Sequence, residues 1–118
     1  MFKQCVIVEP VGMNENAQAR LRRLAEEVIE YPNSPTSEAE LIKRIGQADC
    51  VLVSWRTEIP ASVLRQCPSI VYIGMCCSLY SEASANVDIA AARELGITVT
   101  GIRDYGDEGV VEYVLYEL

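Results

Sequence analysis

Short apolar, β-branched runs alternate along the chain with longer stretches in which apolar residues recur every three or four positions. Residues 5–8 open the series as a strand. Leu21, Leu24 and Val28 are spaced as the inner face of a helix over residues 18–27, and residues 28–31 give a second strand. Pro32, Asn33, Ser34 and Pro35 mark a turn. Ser37 and Glu40 fit a capping box, Leu41, Ile42 and Ile45 supply the inner stripe of the helix that follows, and Gly46 ends it. Residues 50–53 are apolar without alternation, as a strand covered on both faces requires. Pro60 suits the first turn of a third helix that carries Val63 and Leu64 inward, and Pro68 stops it. Residues 70–73 are the expected fourth strand. Gly74 closes that strand and opens an irregular stretch of small residues through 85. Asp88 caps a helix through Leu95, Gly96 takes the left-handed exit, and residues 97–100 form a fifth strand. After a loop over residues 101–106, Asp107 caps a last helix over 108–118.

Five strands separated by helices are the signature of right-handed βα units, and the expectation is a three-layer α/β domain with a five-stranded parallel sheet. At 118 residues there is material for one such domain and little more. One feature is odd. Val110, Val111, Val114, Leu115 and Leu118 make an apolar stripe that runs straight into the last residue with no capping signal. It reads as a helix cut inside a larger protein, with a natural end at a docked helix as the alternative.

Charge and residue types then narrow the chemistry. Seventeen acidic against ten basic side chains give a net charge of −7, and only Arg20, Arg22 and Arg23 lie close together, so nucleic acid is not an expected partner. The chain has no histidine, which removes imidazole as base, relay or metal ligand. Cys5, Cys50, Cys67, Cys76 and Cys77 are odd in number and lie mostly in apolar runs, so they read as buried thiols rather than a disulfide framework. No C-x-x-C pair occurs, and no metal site is expected. No apolar run approaches the roughly 20 residues of a membrane span, and a reducing, cytoplasmic setting is expected.

A parallel sheet places ligands beyond the carboxyl ends of its strands. The loop after the first strand, Pro10-Val11-Gly12-Met13, lacks the G-x-G-x-x-G series, and no G-x-x-x-x-G-K-[ST] loop occurs, so no cofactor-binding residue is assigned in this chain. Gly74, Met75, Cys76, Cys77 and Ser78 offer backbone N–H groups that can cradle a small anion if the loop curls. The alternative is that Gly74 merely ends a strand and the cysteines pack beneath. Arg56 and Arg103 follow the third and fifth strands and can reach one ligand at the same edge, where a planar guanidinium suits a carboxylate; solvated surface pairs are the alternative. Trp55 reads equally as a lid or domain contact and as a core anchor. Asp104, Asp107 and Glu108 cluster where they favour the last helix dipole.

The segment Asn86-Val87-Asp88-Ile89-Ala90-Ala91-Ala92-Arg93-Glu94-Leu95-Gly96-Ile97-Thr98-Val99-Thr100, followed by Tyr105, Glu108, Val110 and Glu112, resembles the D-isomer-specific 2-hydroxyacid dehydrogenases, phosphoglycerate dehydrogenase-like members included. Val53-Ser54-Trp55-Arg56-Thr57-Glu58-Ile59-Pro60 is similar to their segment after the third strand, and the likeness follows element order through essentially the whole chain. It implies a flavodoxin-like substrate-binding domain over residues 1–106. Residues 107–118 would then start a crossing helix towards an NAD-binding Rossmann domain outside this chain, together with the family's catalytic Arg, Glu and His. No catalytic residue is expected here, and NAD or NADP is the cofactor implied for the parent. The implied substrate is a small 2-hydroxy or 2-oxo acid, its carboxylate held by amides of the loop after strand four, where Gly74 to Ser78 stand.

Several positions depart from the family pattern. A second glycine near Cys76 is missing, and the path from there to Asn86 is longer than usual. Ser54-Trp55 stands where Arg-Ser is frequent, Gly101-Ile102-Arg103-Asp104-Tyr105 replaces Asn-Val-Pro-Gly-Tyr, and Tyr113 replaces a histidine. Arg103 can return the positive charge missing at Ser54. With the returning C-terminal helix of the parent absent, a homodimer through residues 108–118 is expected. The rival expectation is a stand-alone flavodoxin-like or receiver-like module that binds a small ligand or a protein without catalysis.

Overall fold

The computed structural model describes residues 2–13, 15–78 and 85–102. Five parallel strands, β1 (Phe2–Ile7), β2 (Ala25–Glu30), β3 (Cys50–Val53), β4 (Tyr72–Ser78) and β5 (Thr98–Ile102), lie in the order β2-β1-β3-β4-β5. Four helices connect them: α1 (Glu15–Leu24), α2 (Glu38–Ile45), α3 (Ala61–Gln66) and α4 (Ile89–Glu94). The architecture is the three-layer α/β fold expected from the alternation of elements, and its strand order is the flavodoxin-like one that the resemblance implies.

Each face of the sheet has its own apolar cluster. On one, Val6, Val51, Val53 and Ile73 meet Leu41 and Ile45 of α2, Val63 and Leu64 of α3, and Ala91 and Ala92 of α4. On the other, Cys5, Ile7, Cys50, Leu52, Tyr72 and Cys76 meet Ala17 and Leu21 of α1. Successive strand side chains point to opposite faces. That is why β3, central and apolar throughout, is buried at all four positions. Among the described residues no helix is long and apolar enough to cross a membrane.

The helix caps follow the sequence with one change. Ser37 accepts the Glu40 N–H at 3.1 Å, and Asp88 accepts the Ala91 N–H at 3.0 Å. Gly46 and Gly96 leave their helices at φ 52° and 76°. The Glu40 carboxylate turns to the Thr36 N–H and hydroxyl, at 2.5 and 2.9 Å, instead of closing the box on Ser37.

Four strand boundaries correct the sequence reading. The first helix ends at Leu24, and β2 begins at once with Ala25, because pairing of Val28 against Cys5 and Ile29 against Val6 outweighs the helical spacing of Val28. β1 starts at Phe2, three residues early, where the Asp49 carboxylate holds the N–H groups of Lys3 and Gln4 at 3.0 and 3.1 Å. The fourth strand is displaced forward. Ile70 is buried but lies in a turn closed on the Cys67 carbonyl, whereas Gly74 stands inside β4, opposite Leu52 on one side and Thr100 on the other. Ile97 likewise precedes β5 and closes on the Ala92 carbonyl. The pairing of β4 with β5 is irregular between Gly74 and Ser78.

The β2 strand is an outer edge of the sheet, and its Glu26, Glu27 and Glu30 are exposed. Charge along an edge discourages pairing with another chain.

Candidate functional site

In this strand order the chain runs to opposite sides of β1, so the crevice between the loops after β1 and β3 is where a flavodoxin-like fold receives ligands. Here that crevice is filled from within. Glu9, fully buried just after β1, accepts the Ser54 and Thr57 N–H groups on Oε2 at 2.9 and 3.2 Å. Its Oε1 accepts the Thr57 and Ser34 hydroxyls at 2.6 and 2.9 Å. A carboxylate out of reach of water needs such a set of donors.

Asn86 holds the same turn from the other side. Its Nδ2 donates to the carbonyls of Ser54 and Thr57 at 2.7 and 2.6 Å. Backbone bonds from Ile59 to Asn86 and from Asp88 to Ile59, at 2.8 and 3.0 Å, tie the two loops together. Both N–H groups and both carbonyls at the ends of the Ser54–Thr57 turn are therefore engaged by side chains from two other loops.

Between those fixed ends stand Trp55 and Arg56, both exposed. Trp55 is 66% exposed, which excludes the core-anchor reading of the sequence. The Arg56 guanidinium lies 5.3 Å from the Trp55 ring centroid, a stacking worth about 0.5–1 kcal/mol at an exposed site. Arg56 makes no ion pair among the described residues. Beside this pair is an open groove of about 620 Å³, lined by Thr36, Glu38, Trp55, Arg56, Thr57 and Asn86 among others. An aromatic wall next to a planar cation that has no ion pair among the described residues suits a small molecule that carries a carboxylate.

The other residues singled out in the sequence fall differently. Gly74 and Met75 lie within β4, not in a loop after it, and Met75 is fully buried. Cys76 is buried in the cluster that holds Cys5 and Cys50, and Cys77 and Ser78 end the strand. The pairing of Val53 with Met75 sets residues 76–78 alongside the start of the Ser54–Thr57 turn, so Arg56 and the end of β4 share one edge. The loop proper begins after Ser78, and residues 79–84 lie outside the described residues, as do Arg103 and the whole of 107–118. Glu9, Ser34, Thr57 and Asn86 were not picked out by sequence reasoning as a unit.

Two further groups are tuned by their surroundings. The Cys50 thiol is pushed well up by its hydrogen bond with Cys5 and by burial, and burial pushes Cys67 up as well. These thiols are poor nucleophiles as they stand. The Thr36 backbone N–H, then the Thr36 hydroxyl and Arg44, hold the Glu40 carboxyl below the ordinary carboxylate range. No group of three Cys, Asp or Glu residues placed to hold a metal ion occurs among the described residues.

Residues 5–117 match the family model described as the D-isomer specific 2-hydroxyacid dehydrogenase, catalytic domain. The chain belongs to this family. A hydroxypyruvate reductase of Blautia hydrogenotrophica is 34% identical over 95 residues, covering 80% of the chain and 28% of that protein. A glycerate dehydrogenase of Methylorubrum extorquens is 29% identical over 115 residues, or 98% of the chain and 34% of the relative. Among solved structures, the NAD+-bound 3-phosphoglycerate dehydrogenase of Entamoeba histolytica superimposes with a TM-score of 0.62 at 26% identity, covering 83% of the chain and 32% of that protein. The chain thus spans about a third or less of each of these family members.

Proposed function

We propose that this chain is the substrate-side domain of an NAD(P)-dependent oxidoreductase that acts on a small 2-hydroxy or 2-oxo acid. The observation that carries the reading is the family match over residues 5–117. Residues 1–106 form the substrate-binding domain in this reading, and residues 107–118 begin the crossing to a domain that holds the cofactor.

The residues of this chain do not fit a dinucleotide. The glycine series is missing, and the Ser54 and Thr57 amides that could meet a phosphate in the switch-point crevice are taken by Glu9. The cofactor supplies hydride chemistry when bound elsewhere in the parent, and this domain binds and orients the acid. Arg56 donates to its carboxylate, Trp55 walls one side, and amides at the end of β4, up to Ser78, complete the cradle, with Arg103 as a second cation. Alone, the chain is inactive. The proposal keeps the cytoplasmic setting, and it keeps a homodimer through residues 108–118.

Trp55 is the only tryptophan, so its emission reports this site directly. Titration with pyruvate is expected to shift Trp55 emission and the amides of residues 54–57 and 76–78, weakly, at tens of millimolar, because the enclosing domain is missing. Shifts confined to another face, or none at about 100 mM, a few times a dissociation constant in the tens of millimolar, would refute the site. Sedimentation of the wild type beside a Val110→Asp, Val114→Asp double variant tests the dimer. A monomeric wild type, or a double variant that dimerises as before, refutes that part.

A further inference from the structure

We propose that Glu9 and Asn86 are positioning residues, a two-sided clamp that fixes the turn from Ser54 to Thr57 so that Trp55 and Arg56 present a preformed receptor for the substrate carboxylate. This inference rests on the functional reading above for its ligand, and on geometry alone for the clamp.

The division of labour is the central observation. Glu9 collects the N–H groups of Ser54 and Thr57, and Asn86 supplies donors to the carbonyls of the same two residues. A four-residue turn held at both ends, through donors and acceptors alike, has little freedom left in its backbone. Neither clamp residue is local: Glu9 lies 45 and 48 positions from its amide partners, and Asn86 lies 32 and 29 from its carbonyl partners. The turn is therefore fixed by the tertiary fold, in contrast to a turn that its own sequence would close.

What the clamp leaves free is equally informative. Trp55 and Arg56 send their side chains outward, stacked on one another, with no ion pair on Arg56 among the described residues. A guanidinium that is ordered before the ligand arrives loses less freedom on binding than one on a loose loop. Glu9 also has a second effect. Its carboxylate occupies the amides at the back of the crevice, so an incoming anion meets Arg56 at the rim. The binding position is set one layer out from where the bare fold would place it.

The test compares Glu9→Gln and Asn86→Ala with wild type and with Leu21→Ala, a change in α1 on the opposite face that lowers stability without touching the turn. Amide exchange at Ser54 and Thr57, the anisotropy decay of Trp55, and pyruvate affinity are read together. Asn86→Ala is expected to speed exchange at least tenfold, to enlarge the fast component of the Trp55 decay, and to weaken pyruvate at least threefold. Glu9→Gln is expected to fall between it and wild type, because the amide oxygen can still take the two backbone N–H groups while the hydroxyls of Ser34 and Thr57 rotate to accept from its NH2. Leu21→Ala should leave the Trp55 decay unchanged. If the two clamp variants match Leu21→Ala in exchange and anisotropy, the clamp is refuted. Loosening of Trp55 with pyruvate affinity unchanged refutes its role in presenting Arg56. A wild-type chain that ignores pyruvate refutes the functional reading instead, and exchange and anisotropy still decide the clamp.

Discussion

Replacing Arg44 with methionine should cost the domain about a third of a typical net stability, although Arg44 belongs to no candidate site. The side chain is buried, and its guanidinium donates from Nη1 to the carbonyls of Val8 and Asn33 at 2.8 and 2.5 Å. Nη2 donates to Asn33 Oδ1 at 2.7 Å and meets Glu40 at 3.3 Å, while the group sits 4.5 Å from the Tyr31 ring centroid. One side chain thereby fastens the end of β1, the turn after β2 and helix α2. Met keeps the length and removes every donor. Val8 is fully buried, so water cannot take over its carbonyl, and an acceptor stranded there costs about 1–3 kcal/mol. Asn33 is exposed and recovers its bonds from water, which limits that loss to about 1 kcal/mol in all. The sum is about 3 kcal/mol, or a fall in Tm of about 10–20 °C for a domain of this size. Arg44→Lys should lose about half as much, since an ammonium cannot reach Val8 and Asn33 together with the geometry of the planar fork. Urea unfolding followed by circular dichroism measures both. An Arg44→Met midpoint within about 0.5 kcal/mol of wild type, the range of neutral surface changes, would refute the reasoning. A Lys variant equal to wild type would show that the charge matters and the fork does not.

Three further outcomes follow from local geometry. Cys5, Cys50, Cys67 and Cys76 are all buried, so iodoacetamide at pH 8 should label them only after unfolding; rapid alkylation of Cys50 in the native chain, mapped by mass spectrometry, would contradict the raised thiol. Glu40 has its folded value lowered, so its contribution is present above the unfolded value and is lost as pH falls through the folded one. The stability deficit of Glu40→Gln at neutral pH should accordingly vanish in acid, and a deficit that persists there would count against the Thr36 contacts as its source. Asp88→Ala removes the cap of α4 and should cost about 1 kcal/mol, with Asp88→Asn close to neutral; equal losses in the two would point to charge and away from capping.

The parts of the fold that were legible in the sequence are those set by neighbours in the chain. Ser37, Gly46, Asp88 and Gly96 act within a turn of their own helices, and each stands where its residue type predicts. The parallel, layered architecture is readable as well, because alternating elements leave few topologies. Boundaries decided by partners across the sheet were not. Gly74 reads as a terminator, yet between β3 and β5 a residue without a side chain is simply a paired position. Ala25, Glu26 and Glu27 favour a helix and are drawn into β2 by the ladder with β1. The same holds for the site. Arg56 stands out as a cation after a strand, but Trp55 reads equally as core or surface until its exposure decides, and Glu9 is one acidic residue among many until the fold brings Ser34, Ser54 and Thr57 to it. Arg44 left a faint trace, three residues from Leu41 and next to Ile45, on the inner stripe where a cation is out of place.

The glutamates along β2 have a consequence for handling and for the lifetime of the protein in solution. An open strand edge is a template for growth, and here the deterrent is electrostatic, since β2 has no proline and pairs with β1 in unbroken register. A deterrent of that kind depends on the medium. As the net charge of −7 is titrated away towards the sequence pI near 4.5, or is screened by salt, the same edge becomes available for strand addition. Mild acid, in which the native fold can persist, is therefore the condition under which concentrated samples of this domain will turn cloudy first.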